Sequence, residues 1–248
     1  MRRIVSAKAI ENIREQVLAE EPPKIEEYEN YLVVFKPIIE DLAQLGYQVR
    51  TLTDLRHQKK RWTTALPILL HWLTKVKEPR IKEDIVRCLS VPWAGNDATA
   101  ELIEEFREYA PILAAPSNPW IGDQLVEIST EEKRAAPYFS LAWTIGNALS
   151  IVTIKGFEKQ ILDLCRDRRN GQARQMLVRS LGRLNIVEAE QAALELLNDD
   201  QVRLHAISAL RVMKSKAALP ELEVLSSGEV PAIRREALKA IAIIRALP

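Results

Sequence analysis

The sequence predicts an all-α protein built from stacked antiparallel helix pairs, and three observations carry that expectation. Leu, Ala, Ile, Glu and Arg are abundant, only 8 of the 248 residues are glycine and 6% are aromatic; the abundant types lose little rotamer freedom in a helix. A nine-residue string recurs, as "IKEDIVRCL" at 81–89, "ARQMLVRSL" at 173–181, "VRLHAISAL" at 202–210 and "IRREALKAI" at 233–241. Its opening residues, together with the related Leu141, lie 60, 32, 29 and 31 residues apart. A period of about thirty with one double step is what helical hairpins give when each pair must bury its faces against its neighbours.

The elements follow in chain order. "SAKAIENIREQVLAEE" sets Ile10, Ile13 and Val17 at helical spacing behind a Ser6 cap, and "AEEPPKIEE" follows as a short linker, so residues 1–24 are expected to form a capping helix and linker. "YLVVFKPIIEDLAQLGY" and "VRTLTDLRHQ" make a degenerate first pair. First helices are then expected at "TALPILLHWLTK", "ATAELIEEFREY", "FEKQILDLCRD", "EAEQAALELLND" and "KAALPELEVLSS", ahead of second helices starting at Ile81, Leu141, Ala173, Val202 and Ile233. Pro67 and Pro220 stand near the starts of first helices, where a missing amide hydrogen costs little. Residues 110–137 carry four of the thirteen prolines and read as an insertion into one hairpin. A loop of that length is functional or disordered, and Trp120 favours an ordered flap that packs. The sum is about six pairs in a single domain spanning 1–248.

"VRLHAISAL" fits the pattern V-R-x-x-A-x-x-A-L at every fixed position, and "IRREALKAI" keeps Ala237 and Ala240. In these residues the chain resembles the HEAT-like repeat family, in its short, lyase-like form, over roughly four fifths of its length. The resemblance implies a right-handed α-solenoid whose second helices line a concave surface. It also implies a structural role for the basic residue after each anchor, Arg174, Arg203 and Arg234 with Lys82 in a weaker unit, paired with a turn carboxylate such as Asp200. It implies no single function, because such solenoids serve as scaffolds, adaptors, lyase-like proteins and DNA glycosylases.

Helical geometry separates the two sides of each second helix. At 100° per residue, positions 1, 5, 8 and 9 counted from the anchor cluster on one side and positions 3, 7 and 10 lie opposite. The opposite column holds Arg87, Arg179, Arg211, Arg235 and Lys239 against one carboxylate, Glu83, with Trp143 and Asn147 near its middle. Clustered guanidinium groups favour carboxylate or phosphate partners, and a tryptophan beside an asparagine suits an aromatic anchor next to a polar contact. Val202, Ala206, Leu210 and Met213 are expected to be buried, and Ser208 and Arg211 exposed.

Charge and motifs narrow the function classes. A net charge of +1 gives no global reason to expect nucleic acid or an anionic membrane. The N-terminal stretch lacks the apolar core of a signal peptide and no later run approaches the length of a bilayer span, so a cytoplasmic location is expected. Cys88 and Cys165 have no metal or redox spacing and are expected to be small buried apolar residues. In the basic tract "CRDRRNGQARQMLVRSLGR", Arg166, Arg168 and Arg169 fall in a turn and only Arg179 points clearly to the column, with Arg183 near the helix end. His57, His71 and His205 have no partner spacing; His71 and His205 are expected to be packed or hydrogen-bonded rings. Adjacent carboxylates such as Glu104 and Glu105, or Asp199 and Asp200, cannot converge from one helix face, and Glu83 and Trp143 stand two units apart. GxSxG, GxxxxGK[ST], GxGxxG and HExxH motifs are absent. No catalytic residue, metal site or cofactor is therefore expected. The expected function is a non-enzymatic scaffold or adaptor that binds an acidic segment of a partner protein. The alternatives are a nucleic-acid-binding or base-modifying solenoid, and an immunity or regulatory protein that blocks a toxin or enzyme.

Overall fold

Polar and proline-bearing turns cut the chain into twelve α-helices among the residues that the computed structural model describes, 25–112, 120–121, 124–125, 130–152, 154–184 and 186–246. They are α1 (Ile25–Gln44), α2 (Leu52–Arg56), α3 (Leu66–Lys75), α4 (Pro79–Leu89), α5 (Gly95–Tyr109), α6 (Thr130–Leu149), α7 (Glu158–Arg166), α8 (Gln175–Ser180), α9 (Val187–Glu195), α10 (Arg203–Met213), α11 (Leu219–Ser226) and α12 (Pro231–Arg245). Local chemistry sets many of the ends. Thr51 and Asp54 form a capping box on α2. The Glu78 carboxylate accepts the Ile81 amide at the head of α4. Pro67, Pro79, Pro220 and Pro231 stand in first turns, where their missing amide hydrogens cost no helical bond. Lys214 closes α10 in the left-handed region, and the Ser215 amide returns to the Leu210 carbonyl at 3.1 Å.

Helices α3/α4, α5/α6, α7/α8, α9/α10 and α11/α12 pack as pairs. The second helices α4, α6, α8, α10 and α12 each touch the next in that order, and α1, α3, α5, α7 and α9 do the same on the other side. Helix α4 lies directly on α6, so the double step in the sequence is one neighbouring pair lengthened by an insertion. Positions 1, 5, 8 and 9 of the five second helices are buried throughout, except that Ile233 is half-buried. The register read from the sequence is therefore the one adopted, since a shift of one residue would bring charged side chains into these places.

Position 6 faces the following pair. Val86, Gly146, Val178 and Ile207 are buried there, while Leu238 on the last helix is 53% exposed. Contact at this position is closest at Gly146. A Cβ on that glycine would stand 2.3 Å from the Ala173 carbonyl oxygen and 3.1 Å from the Phe106 ring, so α6 can approach the next hairpin only without a side chain there.

The basic residue after the anchor is used inside the array, between hairpins at Arg174 and Lys82 and within a hairpin at Arg203 and Arg234. Arg174 is fully buried and donates to Asp199 at 2.5 Å, to the Cys165 carbonyl at 2.9 Å and to the Gly171 carbonyl at 3.0 Å. Asp199 belongs to the turn of the next pair, so it, rather than Asp200, receives this arginine. Arg203 takes Asp200 at 2.5 Å, and Arg234 donates to the Gly228 carbonyl at 3.2 Å. Lys82 makes a buried pair with Glu105 and lies 5.1 Å from the Tyr109 ring centroid. Cys88 and Cys165 are buried, and burial pushes both thiols up, Cys88 to about 12.

Several expectations are corrected. Ile25 to Glu27 belong to α1 rather than to a linker, because Pro22 and Pro23 only precede the helix; residues 1–24, with the expected capping helix, lie outside those described. The insertion is shorter than 110–137. Ala110–Ile112 extend α5 as a 3-10 turn, Trp120–Ile121 pair antiparallel with Gln124–Leu125, and α6 already runs from Thr130 with Pro137 inside it. A proline within a helix removes one amide donor without ending the helix upstream. The packing of the Trp120 side chain lies outside what is described. Val202, Ala206 and Leu210 are buried as expected, but Met213 and Arg211 are half-buried and Ser208 is only 8% exposed. Position 7 of α10 is covered because α12 packs close to it. His71 is exposed, edge-on to Trp72 at 5.9 Å, and His57 is exposed as well. No helix among the described residues is long and apolar enough to cross a membrane.

Candidate binding face

Because the second helices touch in sequence, positions 3, 7 and 10 fall into one row. Arg87, Arg179, Arg235 and Lys239 are exposed in it, and Trp143, Asn147 and Arg211 are half-buried. The charge of the row is more balanced than the sequence suggests. Arg87 donates to Glu83 through Nη2 and, at 3.1 Å, through Nε. Arg211 stands 3.5 Å from Glu236, longer than a hydrogen bond, and its Nη2 donates to Ser208 Oγ at 3.4 Å. Glu236 also holds Lys239 at 3.4 Å. The expected ratio of five cations to one carboxylate overlooks Glu236, which sits at position 4 but reaches both neighbours. Arg179 and Arg235 have no partner among the described residues. Arg87 is exposed while Glu83 is half-buried and keeps the Thr144 hydroxyl as a second donor, so the Arg87 guanidinium can turn to an incoming anion without leaving Glu83 unpaired.

Glu83 and Trp143 are also nearer than expected. The Thr144 hydroxyl donates to Glu83 at 3.2 Å, which places the residue next to Trp143 against the carboxylate. The inserted residues between α5 and α6 had hidden this contact by doubling the spacing. Glu83 is thus held between a guanidinium and a hydroxyl, in the stretch of the row where Trp143 lies.

On α10, His205 is half-buried and its Nδ1 is enclosed without a hydrogen-bond partner among the described residues. Burial, and then the Arg179 charge, hold its pKa below the ordinary imidazole value. His205 therefore stays neutral near pH 7 and adds no charge to the row.

The basic tract 165–183 is mostly consumed within the protein. Arg166, which ends α7 instead of lying in the turn, donates to Glu195 at 2.9 Å; Arg169 pairs with Asp167 at 2.6 Å, Arg168 lies 3.7 Å from Asp199, and Arg174 is buried. Only Arg179 and Arg183 remain for an external partner. The adjacent carboxylates diverge as expected, Glu104 to Arg107 and Glu105 to Lys82, Asp199 to Arg174 and Asp200 to Arg203. Among the described residues no group of three or more His, Cys, Asp or Glu could hold a metal ion.

Among the described residues, open clefts lie where second helices end. One, of about 500 Å³, runs from Gly182 to Lys216, and a second of about 420 Å³ lies between Ile151 and Ile186. The third, about 390 Å³, joins the end of α4 at Arg87 and Ser90 to the loop after α2, with Lys59, Lys60 and Arg61.

Neither a family model, a curated protein nor a solved structure matches this chain. Its site is therefore defined by its own geometry.

The third cleft contains residues that the repeat register did not select. Arg56 ends the degenerate first pair and Lys59 to Arg61 follow it, outside the nine-residue string. The run "KKR" at 59–61 was the available signal, a block of like charge with no carboxylate beside it.

Proposed function

We propose that this chain is a HEAT-like α-solenoid acting in the cytoplasm as a non-enzymatic scaffold or adaptor, and that it binds an acidic segment of a partner protein along the concave row formed by its second helices. The observation that carries this reading is the separation of sides. Positions 1, 5, 8 and 9 are used for packing in every pair, while Arg87, Arg179 and Arg235 stand exposed on the other side of helices in consecutive contact. Arginines in a row favour carboxylates through forked hydrogen bonds, and half-buried Trp143 and Asn147 give an anchoring surface between them. Arg211 and Lys239 contribute less, because they share the neighbouring Glu236 carboxylate.

The test is a pull-down from native lysate with the wild type and the Arg179→Glu/Arg235→Glu variant, with and without nuclease. The expected result is a discrete protein captured by the wild type, indifferent to nuclease and lost with the variant. Identical captures from both proteins would remove the row as the binding face.

A nucleic-acid-binding or base-modifying reading gains from one observation, the approach of Glu83 to the neighbourhood of Trp143, since holding an extruded base requires an aromatic surface and a carboxylate together. It predicts capture that nuclease abolishes and that falls steeply with salt.

A further inference from the structure

The cleft of about 390 Å³ between the α2 loop and the end of α4 has one sign of charge. Arg56, Lys59, Lys60, Arg61 and Arg87 line it, and no carboxylate does. Lys59, Lys60 and Arg61 have no intramolecular partner among the described residues. The loop that carries them is held at both ends, by fully buried Leu55 and by Trp62, which is 3% exposed and meets Trp93 edge-on at 4.7 Å. These cations therefore sit on a short strap with anchored ends. Holding like charges together costs free energy through mutual repulsion, and a cleft of one sign focuses its field on whatever enters.

We infer that this cleft is a phosphate-binding pocket that receives a phosphorylated side chain of the partner segment. The inference rests on the reading of the second-helix row as a binding face, with which the cleft shares Arg87 and Ser90. The choice of anion follows from the donors. A single carboxylate carries one charge and is satisfied by one forked guanidinium, whereas a phosphate monoester brings nearly two charges and three acceptor oxygens at neutral pH. Arg61 and Arg87 supply forked donors and Lys59 and Lys60 compact charges around one small volume. A nucleic-acid backbone is disfavoured because the unpaired cations of the row beyond the cleft, Arg179 on α8 and Arg235 on α12, are interrupted by α6 and α10, whose row positions hold no unpaired cation. Arg211 and Lys239 share Glu236, and Arg166, Arg168, Arg169 and Arg174 stand beside carboxylates of their own surroundings.

The experiment is isothermal titration of the full chain with an acidic hexapeptide containing one phosphoserine, its unphosphorylated copy, and a single-stranded twelve-nucleotide DNA. The proteins are wild type, Lys60→Ala/Arg61→Ala and Arg179→Glu/Arg235→Glu. The wild type is expected to prefer the phosphopeptide by about tenfold or more, the effect of one lost hydrogen bond between charged groups. Lys60→Ala/Arg61→Ala should lose that preference with an unchanged melting temperature, because both residues are exposed, and Arg179→Glu/Arg235→Glu should keep it while binding both peptides more weakly. The preference should also shrink between pH 7.5 and pH 5, as the phosphate falls below its second pKa near about 6. Equal binding of the two peptides would overturn the pocket and leave the face standing. A preference that survives in Lys60→Ala/Arg61→Ala, or no binding of either peptide, would overturn it as well. DNA binding with a salt slope of several phosphates would assign the cleft to nucleic acid instead.

Discussion

At the scale of single residues, buried charge is kept only where a partner completes it. Burial raises the Asp199 carboxyl, but the hydrogen bond and charge of Arg174 more than offset it, so its pKa lies below the ordinary carboxylate value. A depressed folded-state pKa contributes stability that is present above the unfolded value, near about 3.9, and lost as pH falls through the folded one. Glu105 has the opposite sign, since burial raises it despite Lys82, and its contribution is lost as pH rises through its folded pKa. Urea midpoints between pH 6 and pH 3 should therefore fall less in Asp199→Asn than in the wild type. Arg174→Met is expected to cost about 3–5 kcal/mol at neutral pH, because it leaves Asp199 buried and unpaired. Replacing the other buried pair wholly, as Lys82→Met/Glu105→Leu, should be neutral or stabilising. In Arg179→Ala, the His205 pKa is expected to rise towards the ordinary value; an unchanged imidazole titration by NMR would show that the arginine charge does not reach it.

At the scale of helices, burial at positions 1, 5, 8 and 9 was legible in the sequence because each second helix repeats the same demand. The pairing of cations was not. Glu236 belongs to position 4, off the column, and only the closeness of α10 and α12 lets it reach Arg211 as well as Lys239. The contact of Thr144 with Glu83 was hidden by the inserted residues, and the cleft at 56–61 by the weakness of the first pair, which carries no copy of the nine-residue string to align it. Position 6 separates the helices by their neighbours, which gives a direct comparison. Ile207→Asp is expected to cost about 4 kcal/mol or more through an unpaired buried charge, and Leu238→Asp to stay within about 0.5 kcal/mol. Gly146→Ala should cost about 1–3 kcal/mol, since the Ala173 carbonyl it meets is backbone and cannot turn aside. Thermal unfolding of the three variants tests both statements, and equal losses at Ile207 and Leu238 would contradict the stacking order.

At the scale of the whole molecule, a net charge of +1 conceals a division of labour. Most cations between Arg166 and Arg174 are spent on hairpin turns and neighbouring helices, while Lys59, Lys60 and Arg61 at the cleft and Arg179 and Arg235 along the row have no partner among the described residues. Such an arrangement places charge where a partner can use it without making the protein broadly basic. The most direct measurement is therefore a comparison of charge reversal on the two sides of the array. Arg179→Glu/Arg235→Glu changes the second-helix row, and Lys36→Glu/Lys159→Glu, at exposed positions of α1 and α7, changes the first-helix side. Affinity for the captured partner should fall by about tenfold or more in the first variant and stay within about twofold in the second, at unchanged melting temperature. Equal losses in both variants, or none in the first, would contradict the assignment of the binding face.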